Sequence, residues 1–120
     1  MNHLKVKKIV INIFKNFKLK EAHAKISAEY LIKAELLGAP SHGLSRLKMY
    51  CERLNKKIIN PNPKIKIKKI SQSISHIDAN NSIGFVAADL GIKIAIKNAN
   101  KTGIGLVAIK NSGHYGLSSF

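Results

Sequence analysis

Two short stretches of this 120-residue sequence combine residue types that can move a proton or hold a small anion. The first is Pro40-Ser41-His42-Gly43, with Arg46 close behind it. At a helix start, free backbone amides, a seryl hydroxyl, an imidazole and a guanidinium can converge on one small anion, most simply a carboxylate. The same residues also compose an ordinary helix start, in which Ser41 only caps, His42 lies in a loop and Arg46 is a solvated charge. The second stretch is Asn111-Ser112-Gly113-His114-Tyr115-Gly116, directly after the apolar run Leu106 to Ile109. Ligands of α/β sheets bind beyond the carboxyl ends of strands, and an imidazole placed there titrates near neutral pH. His114 is the candidate acid/base, and its flanking glycines let backbone amides approach a bound molecule closely. A Gly-rich turn with a surface histidine is the alternative reading of that stretch.

Other chemistries find no support. Gly103-Ile104-Gly105 precedes an apolar run instead of following one and lacks the third glycine of a Rossmann phosphate loop. No pair of histidines brackets a glutamate at i, i+4, so no metal site is expected. The single cysteine, Cys51, excludes an internal disulfide and fits a reducing cytoplasm. The amino-terminal run Ile9 to Phe14 is too short for an export signal, and no uncharged stretch approaches the roughly 20 residues of a membrane span. Charge is the most conspicuous compositional feature: Lys+Arg number 21 against 6 Asp+Glu, for a formal +15. A polycationic nucleic-acid binder is one reading of that excess. Yet 19 of the cations are lysine, and the chain also holds 18 isoleucines and 11 asparagines, the bias an AT-rich coding sequence produces without selection for binding. The cations are not interleaved with aromatics, so no specific nucleic-acid partner is expected.

The elements that must position the two stretches follow from periodicity. Val6, Ile9, Val10, Ile13, Phe14 and Phe17 form one face of an amphipathic helix. A second helix is predicted from about Lys20 to Leu37, with Leu19, Ala22, Ile26, Tyr30, Ala34 and Leu37 on one side and Gly38 to stop it. A third carries Leu44, Leu47, Cys51 and Leu54, capped by Ser41 or Ser45, and ends near Asn55. Asn60-Pro61-Asn62-Pro63 is a non-helical break, since proline disfavours helical backbone in the residue before it. Beyond it, Lys64 to Ile67 alternates as a half-buried strand does, and Ile74 to Ile77 can form a second strand. Ser82 is expected to cap a helix running to Lys101, with Phe85, Ala88, Ile92, Ala95, Ile96 and Ala99 on its main buried face and Val86, Leu90 and Ile94 widening that face. Leu106 to Ile109 reads as a buried strand, completing the order α-α-α-β-β-α-β.

Taken in order, Ala34-Glu35-Leu36-Leu37-Gly38-Ala39-Pro40-Ser41-His42-Gly43, Arg46-Leu47, Tyr50, Asn60-Pro61 and the His114 stretch resemble the amino-terminal part of the malate/L-lactate dehydrogenase family. That group of non-Rossmann oxidoreductases includes ureidoglycolate and sulfolactate dehydrogenases. The resemblance implies a mixed α/β fold: a helical segment over 1–59 carrying the Ser-His-Gly motif, then over 60–120 the β-β-α-β beginning of an NAD(P)-binding domain. It implies hydride transfer between NAD or NADP and a small 2-hydroxy or 2-keto acid, with His114 as acid/base and Ser41, His42 and Arg46 at the substrate carboxylate or in a proton relay. His114, Tyr115, Gly116, Leu117 and Ser118 match the segment that approaches the nicotinamide. A homodimer is implied for a complete protein, and a chain of this length is expected to be a truncated, inactive portion or a remnant that acts only in folding or dimerisation. The chain departs from the pattern at Lys56-Lys57, where the family carries a glycine.

Overall fold

The computed structural model describes residues 2–118. Helix α1 (His3–Asn16) starts where the Asn2 side chain accepts the Leu4 amide at 2.9 Å, and it buries Val10 and Phe14. Lys18, at a φ of 65°, reverses the chain into helix α2 (Glu21–Leu36). The predicted apolar side of α2 is the buried one only in part: Leu19 and Ala34 are buried and Ile26 and Tyr30 pack against the core. Ala24, Ser27, Ala28, Leu31, Ile32 and Ala34 face the core, whereas Ala22 and Leu37 are exposed. Side chains as small as Ala24, Ser27 and Ala28 contribute little to a hydrophobic pattern, yet they let neighbouring elements approach closely and so set the helix rotation.

Gly38, at a φ of 72°, ends that run as expected. The predicted third helix is interrupted. Two 3-10 turns, Pro40–His42 and Leu44–Arg46, precede helix α3 (Leu47–Asn55), because Gly43 between them is extended (φ −97°, ψ −136°). Neither Ser41 nor Ser45 caps the helix; the Ser45 hydroxyl donates to the Pro40 carbonyl at 2.6 Å. Lys57, in the Lys56-Lys57 pair, adopts a φ of 59°, the left-handed backbone that glycine favours.

The Asn-Pro break is tied down on both sides. Its Asn60 amide donates to the Asn81 carbonyl at 2.8 Å, and the Lys64 amide donates to Asn80 Oδ1 at 2.9 Å. Strand β1 (Lys66–Lys69) begins two residues later than predicted and is exposed along its length; Ile65, just before it, makes the inward contact. Strand β2 (Ile74–Ser82) is longer than expected and central in the sheet, antiparallel to β1 and parallel to strand β3 (Leu106–Ser112). Ile77 lies opposite Ile67 on one side and Ile109 on the other. Between Asp78 and Ser82 the β2–β3 register shifts, with Asn80 and Asn81 at φ values of 50° and 57°, a conformation asparagine tolerates better than most residues.

Helix α4 (Gly84–Thr102) makes the crossover a parallel pair requires and ends at Gly103, whose φ is 81°. Ser82 does not cap it: the residue before the helix is Ile83, and Ser82 still belongs to β2. The buried face of α4 is Phe85, Val86, Ala87 and Gly91, with Leu90 and Ile94 partly covered, whereas Ile92 and Ile96 stand about half exposed. β3 is exposed along most of its length, so the expectation of a buried strand fails as well. A parallel edge strand with one helix packed against it has neither its outer hydrogen-bonding groups nor its second face covered.

The largest cluster joins Val10 and Phe14 to Leu31, Tyr50, Leu54, Ile83 and Phe85, so all four helices share one core. A smaller one, Ile77, Ala79 and Ala87, seats α4 on the sheet. No helix among the described residues is long and apolar enough to cross a membrane.

Candidate active site

The Ser41-His42 turn is held from behind by a carboxylate. Glu35, on the last turn of α2, accepts the Leu44 amide at 2.6 Å, and Gly43 packs so closely on that carboxylate that a Cβ there would collide with it. Arg46 closes the turn by donating from Nε to the Ser41 carbonyl at 2.7 Å. Within the turn, Ser41 Oγ lies 3.0 Å from His42 Nδ1. Arg46 therefore sits in the second 3-10 turn, one residue before α3, and part of its donor set is spent on the loop it stabilises.

The His114 loop is fixed by contacts that the spacing of residues did not reveal. Asn111, at a φ of 53°, turns the chain at the end of β3 and donates to Asp78 Oδ1 at 3.0 Å. The start of α4 then packs on the loop at Gly84, where a Cβ would collide with the carbonyl oxygens of Gly113 and His114. Gly116, at a φ of 82°, lies against the Phe85 ring. These approaches need glycine on both sides.

The two stretches meet. The His42 and His114 rings are 6.2 Å apart between centroids and 23° from parallel. Tyr50, on α3, places its hydroxyl 2.8 Å from His114 Nδ1, and the Gly116 amide donates to the same nitrogen at 3.1 Å. Tyr50 is 1% exposed. Burial pushes its hydroxyl up to about 12, against the opposing influence of Arg53 and Arg46, so it keeps its proton throughout the neutral range. His114 is exposed on the whole, but its contact with buried Tyr50 partly desolvates it. That desolvation, then Arg46, His42 and Arg53, holds its pKa below the ordinary histidine value. Tyr50 stands four residues after Arg46, a spacing that puts both on one side of a continuous helix, and this is the one sequence signal that could have linked them.

Tyr115, Leu117 and Ser118 extend from His114 along an apolar cleft of about 140 Å³ completed by Tyr30, Phe85 and Ile92. Its Tyr30 and Phe85 rings are stacked at 5.9 Å and 4°. Such walls suit the face of a flat ring. Among the described residues no group of three or more His, Cys, Asp or Glu is arranged to hold a metal ion.

A protein-family model described as malate/L-lactate dehydrogenase matches residues 1–120. Over 95% of its length the chain is 38% identical to the L-sulfolactate dehydrogenase of Methanocaldococcus jannaschii, covering 33% of that protein. It is 36% identical over 85% of its length to an Escherichia coli K12 ureidoglycolate dehydrogenase (NAD(+)), covering 29% of that protein. Its fold superposes on the malate dehydrogenase of Pyrococcus horikoshii OT3 with a TM-score of 0.93 and 34% identity, over 97% of this chain and 33% of that one. The chain thus spans about a third of the length of the relatives it matches.

Proposed function

The chain belongs to the malate/L-lactate dehydrogenase family, and on that premise we propose that it supplies the substrate-binding and proton-transfer part of an NAD(P)-dependent oxidoreductase acting on a small 2-hydroxy or 2-keto acid. The meeting of His114 with Ser41, His42 and Arg46, through histidine rings 6.2 Å apart, carries this reading. Malate, sulfolactate and ureidoglycolate, the substrates in the relatives' names, share a carboxylate beside a carbon that bears a hydroxyl. Arg46 offers the guanidinium nitrogens beyond its Nε to that carboxylate, and the Ser41-His42 pair offers a hydroxyl and an imidazole beside it. In this reading His114 exchanges a proton with the oxygen on the adjacent carbon.

The walls of the Tyr115-Leu117 cleft fit a nicotinamide ring, with Phe85 behind and Ser118 at its edge; residues 60–118 are then the beginning of a cofactor-binding domain. NAD or NADP, when bound, supplies or takes up the hydride. The protein's part is to fix the acid's C2 between that ring and His114, to neutralise its carboxylate and to manage the proton. The working assembly in this reading is a homodimer, and its setting the cytoplasm.

The test joins this chain to the remaining two thirds of the M. jannaschii relative and follows NADH and NADPH oxidation with 2-keto acids. Turnover is expected in the joined protein, with His114→Ala reducing kcat on the order of 10²-fold or more and Arg46→Ala acting chiefly on KM. Near-normal kcat in the His114→Ala protein would remove the acid/base assignment.

A further inference from the structure

We propose that Tyr50 is a positioning residue that, together with the Gly116 amide, holds the neutral His114 ring in the tautomer protonated on Nε2, so that the ring meets a substrate oxygen as an N–H donor. The inference deepens the functional reading above and rests on it for its consequence, but not for its geometry.

A backbone amide can only donate, and the Gly116 amide points at His114 Nδ1 from 3.1 Å. Nδ1 must therefore be the acceptor, which places the neutral ring's single proton on Nε2. The Tyr50 hydroxyl, 2.8 Å from the same nitrogen, is then a second donor to Nδ1. No other partner within hydrogen-bonding distance is found for that hydroxyl among the described residues, and it is almost completely buried, so turning away from Nδ1 would leave it unsatisfied. The ring is pinned from a third direction by packing: Tyr50 also lies against Phe85, with centroids 5.1 Å apart, and Phe85 in turn backs Gly116.

The two donors respond differently to a charged ring. An imidazolium carries a proton on Nδ1, and the amide cannot accept it; the hydroxyl can turn from donor to acceptor. Charging His114 therefore breaks the Gly116 contact, while Tyr50 is the one partner able to follow. A neutral ring already protonated on Nε2 cannot take a proton there, so proton exchange with a substrate oxygen runs between the imidazolium, which gives up its Nε2 proton, and the Nδ1–H ring whose proton the Tyr50 hydroxyl accepts. The same donors turn the lone pair of the neutral ring towards the buried Tyr50 hydroxyl.

Nitrogen-15 histidine spectra of the 120-residue chain test this without substrate or cofactor, the His114 signals being those missing from a His114→Gln variant. Above the titration range, Nδ1 is expected unprotonated and shifted as a hydrogen-bonded acceptor, and Nε2 protonated. In Tyr50→Phe, checked for native folding by its amide spectrum, the Nδ1 signal is expected to move towards that of a free acceptor nitrogen, with a second tautomer appearing. A wild-type ring protonated on Nδ1 overturns the proposal, as does a folded Tyr50→Phe chain with an unchanged Nδ1 signal. Should Tyr50→Phe fail to fold, the wild-type tautomer decides alone. Loss of turnover assignment to His114 in the joined protein, with the tautomer as described, would instead sink the functional reading and leave the lock standing.

Discussion

Ser82 is where a residue-level expectation and the structure make opposite predictions. As a helix cap its hydroxyl would accept an amide of the first turn, and Ser82→Ala would cost about 1 kcal/mol. In the structure it is 1% exposed at the end of β2, and its Oγ is buried with no hydrogen-bond partner. Removing an unpartnered buried hydroxyl relieves a desolvation penalty of about 1–3 kcal/mol, offset by the small void it leaves. Ser82→Ala is therefore expected to leave stability unchanged or to raise it, and a loss of 1 kcal/mol or more in urea unfolding would show that the hydroxyl has a partner. The candidate residues were legible one by one, and Ser41, His42, Arg46 and His114 come together in the structure because strand ends and helix entries are marked by glycine and proline. Their supports were not. Glu35 and Gly84 act through contacts across 9 residues and 30 residues of sequence respectively, Leu44 N to Glu35 and Gly84 to His114, and no local period records such pairs.

At the scale of elements, the same logic separates what periodicity can reveal from what it cannot. Existence and order of the helices and strands followed from hydrophobic spacing and from stops such as Gly38 and Gly103, whose φ values of 72° and 81° favour glycine. Rotation followed for α1, whose Val10 and Phe14 are buried, but only in part for α2 and α4, because close packing is also decided by small residues that a hydrophobic count passes over. α4 turns Ala87 and Gly91 to the sheet and leaves Ile92 and Ile96 outside. Two glycines at this junction give contrasting predictions. A Cβ at Gly105 would collide with the Ala95 carbonyl oxygen, a backbone atom on the helix itself. One at Gly91 meets only the Cδ1 of Ile109 at 2.8 Å, the far end of a side chain that is 37% exposed. Gly105→Ala is expected to destabilise by about 1–3 kcal/mol through forced backbone shifts. Gly91→Ala should come out near neutral, because alanine's helix preference of about 1 kcal/mol offsets the displaced methyl. Chemical denaturation of both variants checks the pair; equal losses would mean that β3 and α4 pack differently from the contacts described here.

At the scale of the whole molecule, titration of partly desolvated histidines and the charge of the chain both weaken the fold in acid, and they can be told apart. His23, on α2, is held below the ordinary histidine value first by burial and then by Lys20, and its Nδ1 is buried without a partner. His114 is displaced in the same direction. A depressed pKa means that the unfolded chain binds more protons than the folded one below the ordinary value of 6.5, so stability falls with pH there. The contribution is whole above that value and is lost as pH falls through the folded pKa. Half-exposed Asp78 and exposed Glu21, both lowered by hydrogen-bonding partners, add a further loss only in the carboxylate range, and solvent screening keeps it small. The formal +15, to which five histidines add in acid, contributes self-repulsion over the same interval. Salt distinguishes the two causes, since added ions screen repulsion between exposed charges but do not rehydrate a buried ring. The Tm is therefore expected to hold steady above pH 7.5 and to fall between pH 7 and 5, with a substantial part of the fall persisting in 0.5 M salt. His23→Leu removes both the titration and the orphaned nitrogen, so it should raise Tm more at pH 5.5 than at pH 8 in that salt. An equal rise at both pH values would assign the acid sensitivity to net charge alone.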